Sequence, residues 1–136
     1  MKRLLLLSFL ILFSCSKDSE EENTIAPGDE IIGNHLIVNK GIPNSTETSY
    51  FKNFPIVENS SYMNFTENKK GTLSVTYRTP DAGDFSENFV FDWTFDGARW
   101  QLDFLIPIGS SQNNEEITFF DGYYNIKFKY GQIWFK

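Results

Sequence analysis

Few side chains in this 136-residue chain are of types that could do chemistry. Asp92 and Asp103 flank one Asp-Gly turn and could approach as the paired carboxylates of a glycoside hydrolase. Asp81, Asp84 and Glu87 crowd one Gly-containing stretch and could offer oxygen ligands to calcium, although their spacing matches no calcium loop. His35 is the only histidine, so any Ser-His-Asp triad would have to use it, and no Gly-x-Ser-x-Gly elbow accompanies it. The glycines are scattered among turn signals and make no phosphate-binding loop. A solvated acidic face accounts for the carboxylates. The expectation is a chain with no catalytic residue, no metal site and no cofactor.

The elements that would position these residues are strands. In Asn88–Ile106, a two-residue turn at Asp96-Gly97 sets Phe95 opposite Ala98, Trp93 opposite Trp100, Phe91 opposite Leu102 and Phe89 opposite Phe104. Thr94, Asp92, Arg99, Gln101 and Asp103 then fall on the other side, and Asp92 and Asp103 face Gln101 and Val90 rather than each other. The same logic at Asp121-Gly122 sets Phe120 opposite Tyr123, Phe119 opposite Tyr124 and Ile117 opposite Ile126. At Gly131-Gln132 it sets Tyr130 opposite Ile133 and Phe128 opposite Phe135, with Asn125, Lys127 and Lys129 on the wet side beside Tyr123.

Upstream, Met63 and Phe65 share a face, and Leu73, Val75 and Tyr77 alternate with Ser74, Thr76 and Arg78. Glu30–Val38 reads as a first strand with a bulge or close approach at Gly33. Thr79–Glu87 and Ile108–Glu116 read as polar loops. Asn39–Ser60 is long for a structureless loop and should hold a short helix, an irregular strand or a lid. The fold class expected is all-β, an antiparallel meander of about eight strands that closes into an up-and-down barrel or folds into a two-sheet sandwich to protect its edges.

Aromatic residues make up 17% of the chain. Phe89, Phe91, Trp93, Trp100, Leu102 and Phe104 could line a pocket for an apolar ligand, or they could fill the interior of a small domain. Trp134, Tyr123 and Tyr124 could stack on sugar rings or belong to the core.

The N-terminus carries a different message. Lys2-Arg3 precede the apolar run Leu4–Phe13, which is too short for the roughly 20 residues of a membrane span and reads as a signal peptide. Ser16–Thr24 is polar and without apolar periodicity, the composition of a flexible acidic tether. Loss of Lys2 and Arg3 takes the basic residues from 12 to 10 against 18 acidic ones, a net charge of −8, which disfavours nucleic acid as a partner.

Leu12-Phe13-Ser14-Cys15 resembles the lipobox of bacterial lipoproteins, which implies that Cys15, the only cysteine, carries the lipid and that no thiol remains for a disulfide, a nucleophile or a metal. Lys17 followed by acidic residues is similar to the signal for display on the outer face of the outer membrane. Residues 30–136, with Gly33-Asn34 in the first strand followed by His35 where the family has tryptophan, and with Phe91-Asp92-Trp93 and Trp100-Gln101-Leu102 as a central pair, resemble the lipocalin-like domains of small bacterial lipoproteins. The resemblance implies three parts: a signal peptide over residues 1–14, a lipidated cysteine with its tether over 15–29, and a lipocalin-like β-barrel over 30–136. The function it implies is a membrane-anchored, non-enzymatic lipoprotein of the outer membrane and cell surface that binds a small apolar molecule at the six hairpin residues. The alternative is an accessory lipoprotein with a packed core that binds an envelope protein or glycan through loops and outer face.

Overall fold

A computed structural model describes residues 25–38, 48–108 and 114–136. The signal peptide, Cys15 and residues 16–24 therefore lie outside the described residues. Apart from a 3-10 turn at Asp29–Ile31, the regular structure is entirely β: β1 Gly33–Val38, β2 Tyr50–Phe51, β3 Phe54–Pro55, β4 Tyr62–Phe65, β5 Lys70–Thr79, β6 Gly83–Phe95, β7 Trp100–Phe104, β8 Asn114–Phe120, β9 Tyr123–Phe128 and β10 Gly131–Phe135. β1 and β4 to β10 run as an antiparallel meander, and β10 returns to pair with β1 through Ile37–Phe135 and Val38–Trp134. The result is a closed eight-stranded up-and-down barrel with β2 and β3 added to it. Closure removes the free edges that an open meander would expose.

Period-two alternation selects the inner face. Gly71, Leu73, Val75 and Tyr77 of β5 are buried between the partly exposed Thr72, Ser74 and Thr76, and Trp100, Leu102 and Phe104 of β7 are buried between the exposed Gln101 and Asp103. The rings meet across the interior. Phe135 stacks on Phe65, Phe65 meets Phe91 at 5.2 Å, Phe91 meets Phe104 at 5.2 Å, Phe104 meets Phe128 at 6.1 Å, and Phe128 meets Phe51 at 6.3 Å. This chain of edge-to-face and stacked pairs runs from β10 across to β2, at the spacings favoured by the ring quadrupole.

Residues 26–32 plug one end. Ile31 is fully buried, the Trp100 indole donates to the Gly28 carbonyl at 2.8 Å, and His35 Nε2 lies 2.7 Å from the Ile31 carbonyl. Gly28 sits at φ 87°, and a Cβ there would lie 2.5 Å from the Phe95 ring, so only glycine fits. Lys69 caps this end from outside, paired with Asp29 and 4.0 Å above the Trp93 ring. The folded unit thus begins before residue 30.

At the other end residues 50–55 form two short irregular strands, one of the three possibilities for residues 39–60, of which 39–47 lie outside the described residues; we call this hairpin the lid. β2 and β3 form a tight hairpin around Lys52-Asn53, both at positive φ as a type I′ turn requires. β2 continues the edge of β10 (Tyr50–Gln132) where β1 has ended, and beyond β3 Ile56 bridges to Tyr77 of β5 where β4 has ended. The wall therefore closes twice, by β1 and β4 near the plug and by β2 and β3 near the lid. Phe51 drops from the lid into the core against Tyr77, Phe89 and Phe128.

Several expectations need correction. The Asp96 carboxylate accepts from the amides of Ala98 (2.9 Å) and Arg99 (2.8 Å), which draws four residues into the loop. Trp93 consequently faces Leu102, Phe91 faces Phe104 and Phe95 faces Trp100; the register slips by two and every side chain keeps its face. Asp121-Gly122 turns as expected, with Phe119 opposite Tyr124 and Ile117 opposite Ile126. The last turn is Lys129-Tyr130 rather than Gly131-Gln132, because Gly131 is drawn into β10 beneath the lid, where a Cβ would lie 2.8 Å from the Tyr50 carbonyl. Glu30 belongs to the plug rather than to the first strand, and most of Thr79–Glu87 is strand: Asp84 pairs with Arg78 and Ser86 with Thr76 in a polar two-stranded extension. Asn114–Glu116 likewise begin β8.

Candidate functional site

Phe91, Trp93, Leu102 and Phe104 are at most 1% exposed, Trp100 is 7% exposed, and Phe89 packs half-buried against the same cluster. The fold brings all six together, and the interior rings fill the space between them. Trp100 is fixed from three sides, by Phe95 at 5.0 Å, Tyr124 at 5.5 Å and its bond to Gly28.

One concavity lies on the outer wall. Below the lid the two legs of its hairpin splay, one toward β1 and β10, the other toward β5. The seam between them is stitched by two buried serines. Ser49 Oγ donates to the Val38 carbonyl (2.6 Å) and accepts the Trp134 amide (2.8 Å), while Ser61 Oγ donates to the Thr76 carbonyl (3.3 Å) and accepts the Thr76 amide (2.8 Å). A groove of about 450 Å³ opens there, lined by Pro55, Ile56 and Val57 on its apolar side and by Thr48, Ser49, Glu58 and Arg78. That volume falls in the range of small-ligand or peptide side-chain pockets. Arg78 is held by a two-point bond to Asp84, at 2.6 and 3.0 Å, which pushes the Asp84 carboxyl below its ordinary range. Nothing in the sequence marks this groove, because its walls come from the stretch of poorest alternation.

A second polar cluster holds the lid. Lys52 Nζ donates to Glu87 at 2.8 Å, and Tyr77 Oη donates to the other carboxylate oxygen at 2.8 Å. The bond to Glu87 raises the Lys52 pKa; burial first, then the same carboxylate, raise that of Tyr77. Glu115, opposite the buried Leu102, is half-buried on the same side of the sheet, and desolvation alone raises its pKa.

The carboxylate pairs of the sequence do not assemble into sites. Asp92 stands directly opposite Asp103, but both are exposed on the convex outer wall and Asp92 is bound by Lys70 at 2.6 Å. Asp84 and Glu87 take opposite faces of β6, one bound to Arg78 and the other to Lys52. His35 is enclosed by the rings of Phe65, Tyr124 and Phe135. Among the described residues no three His, Cys, Asp or Glu side chains gather where they could hold a metal.

The aromatics weighed for sugar stacking separate. Trp134 is 7% exposed, because the chain at Thr48–Ser49 passes over the outside of β10, and its indole N–H finds no acceptor among the described residues. The same cover buries Asn125 and Gln132, where a wet face was expected for Asn125. Tyr123 is half-buried under Lys136, 5.5 Å from its ring centre. No family model, no curated protein and no solved structure matches this chain.

Proposed function

We propose that this protein is a membrane-anchored, non-enzymatic accessory module, displayed on the outer membrane through a lipidated Cys15, that recognises an envelope protein through its outer wall while its barrel interior serves only as a core. The observation that supports this reading is the contrast between inside and outside. Five of the six residues weighed as ligand contacts are engaged in ring-to-ring packing and the sixth, Leu102, is fully buried, whereas the groove beside Ile56 and Val57 is open without any rearrangement. An apolar ligand between the rings would have to part these contacts.

The groove suits an extended polypeptide segment. It offers an apolar strip for one or two side chains, with side chains of both charges among its lining residues. It lies on the wall of the barrel, and the packed ends leave that wall as the recognition surface.

Native mass spectrometry of the mature protein purified from its own host, with a hydrophobic fluorescent probe in parallel, tests the reading. Protein of apo mass that does not bind the probe is expected. A photo-reactive residue at Val57 should crosslink to a discrete envelope protein, and one at Gln101 on the opposite wall should not. A stoichiometric small molecule released on denaturation would replace this reading with that of an apolar-ligand carrier.

A further inference from the structure

The plugged end carries a cluster that the core does not explain. Phe119 and Phe120 are 57% and 56% exposed beside the turn Asp121-Gly122, Tyr123 is half-buried next to them with Lys136 over its ring, and Ile25, at the same end of the barrel, is 67% exposed. Successive strand residues point to opposite faces, so Phe119 leans over the barrel mouth onto Tyr124 (4.9 Å) while Phe120 points away from it. A tight hairpin would be equally well made with polar residues in both places. Paired phenylalanines backed by a tyrosine and a lysine are the composition of a segment that sits at a membrane interface, with the rings toward the acyl chains and the amine at headgroup level.

The chain itself says which surface this end meets. Nine residues lie between Cys15 and Ile25, ten steps of the chain, and a polypeptide extends at most about 3.3–3.6 Å per step, so Ile25 stays within about 35 Å of whatever holds Cys15. The 13-residue β6 alone is about 43 Å long at strand rise. Because barrel strands tilt by roughly 40° from the axis, the barrel is about 33 Å tall along β6, and turning the lidded end to the membrane would use almost the whole reach of the connection merely to run back along it. Turning the plugged end to it needs little of that reach and brings Phe119 and Phe120 to the lipid.

We infer that the plugged end is a lipid-contacting face, on which the tip of the β8–β9 hairpin inserts Phe119 and Phe120 into a membrane of low negative charge and so holds the groove side-on to the envelope space. The inference rests on the lipid-anchor reading. Low charge follows from the balance at this end: Lys69 is paired with Asp29, and Glu30, Glu67, Asp96 and Asp121 outnumber Arg99 and Lys136, so an anionic surface is disfavoured. Two weak rings and one anchor act together, because a tethered surface needs little further affinity to stay down.

The single cysteine makes a direct test available. The chain from Cys15 onward, which keeps every residue of the barrel, is joined through that thiol to a maleimide-headgroup lipid in phosphatidylcholine vesicles, and amide hydrogen exchange is compared with the untethered chain. Slower exchange confined to Phe119–Tyr124 and the plug is expected, lost in F119S/F120S and in the single variant F120S, and weakened when phosphatidylglycerol is added. Unchanged circular dichroism of F120S guards against misfolding. Slowing centred instead on Leu105-Ile106 at the lidded end, or no slowing at all, would overturn the inference. Because the link is chemical, this result stands apart from the anchor itself, which is read from the mass of the N-terminal peptide of membrane-extracted protein: diacylglycerol on Cys15 is expected, and an unmodified terminus would remove the anchor reading.

Discussion

The two ends of the barrel are closed by different physics. At the plug, side chains bond to main-chain carbonyls, Trp100 to Gly28 and His35 to Ile31, around a glycine that nothing else can replace. At the lid, one apolar anchor, Phe51, enters the core and a charged cluster of Lys52, Glu87 and Tyr77 fastens the hairpin near solvent. A carbonyl buried against an indole is desolvated and cannot exchange its partner for water, whereas a half-exposed ion pair can. The plug is therefore the rigid end and the lid the end that opens first, with the groove along the lid's own legs.

The largest expected effect tests whether the lid hangs on its apolar anchor. Phe51→Ala removes a ring that touches Tyr77, Phe89 and Phe128, and should cost about 3–5 kcal/mol in denaturant unfolding. If the lid is the weaker end, amide exchange in residues 50–57 should accelerate far more than in 26–32. Equal acceleration at both ends would mean that the two closures act as one unit.

Gly28→Ala is the reciprocal test at the plug. The left-handed backbone there costs a non-glycine residue roughly 1–2 kcal/mol, and the clash with Phe95 adds about 1–3 kcal/mol of overpacking. Trp100→Phe keeps an aromatic ring, though a smaller one, and removes the donor, leaving the Gly28 carbonyl unpaired for about 1–3 kcal/mol beside the cost of the void. Both should leave exchange in the lid unchanged.

How far the sequence could be read divides along the same line. Wherever alternation was clean, the face of each residue followed from it: Met63, Phe65, Leu73, Val75, Phe91 and Leu102 are all in the core. Register was harder, because a slip of two leaves every face intact, and only the Asp96 side chain, bonding to its own loop amides, decides it. The lid and groove were illegible for a related reason. β2 and β3 are two residues each, too short for periodicity, and their place is set by where β1 and β4 stop. The pleat alone puts Asn125 on the wet side and does not reveal that another segment lies over the outer face of β10. Filled core and open pocket predict the same pattern of residues, so the packing of Phe89 to Phe104 became visible only with the rings in place.

Glu115→Gln should have the opposite sign. Burial raises the folded pKa of this carboxyl, so whatever it contributes is present below its unfolded value, near 4.5, and is lost as pH rises through the raised value. At neutral pH the ionised group opposes folding, and the amide should raise the melting temperature, with the gain vanishing in acid. A gain independent of pH would point to packing instead of charge.

The smallest effect belongs to the ion pair of the lid. Lys52→Met breaks a half-exposed bridge, worth at most about 1 kcal/mol once solvent screening is counted. Its pH dependence is more telling than its size. Lys52 and Tyr77 both have raised folded pKa values, so their contributions are complete below the unfolded values of 10.5 and 10.0 and are lost as pH climbs through the folded ones. Melting temperatures measured at about pH 8 and about pH 11 should therefore fall more steeply for the wild-type chain than for Lys52→Met, in which only the tyrosine remains to titrate. Parallel falls would show that the charges are ornament on a lid that Phe51 alone holds shut. A smaller fall in the variant would make the cluster a true fastening, weak enough for a partner entering the groove to undo.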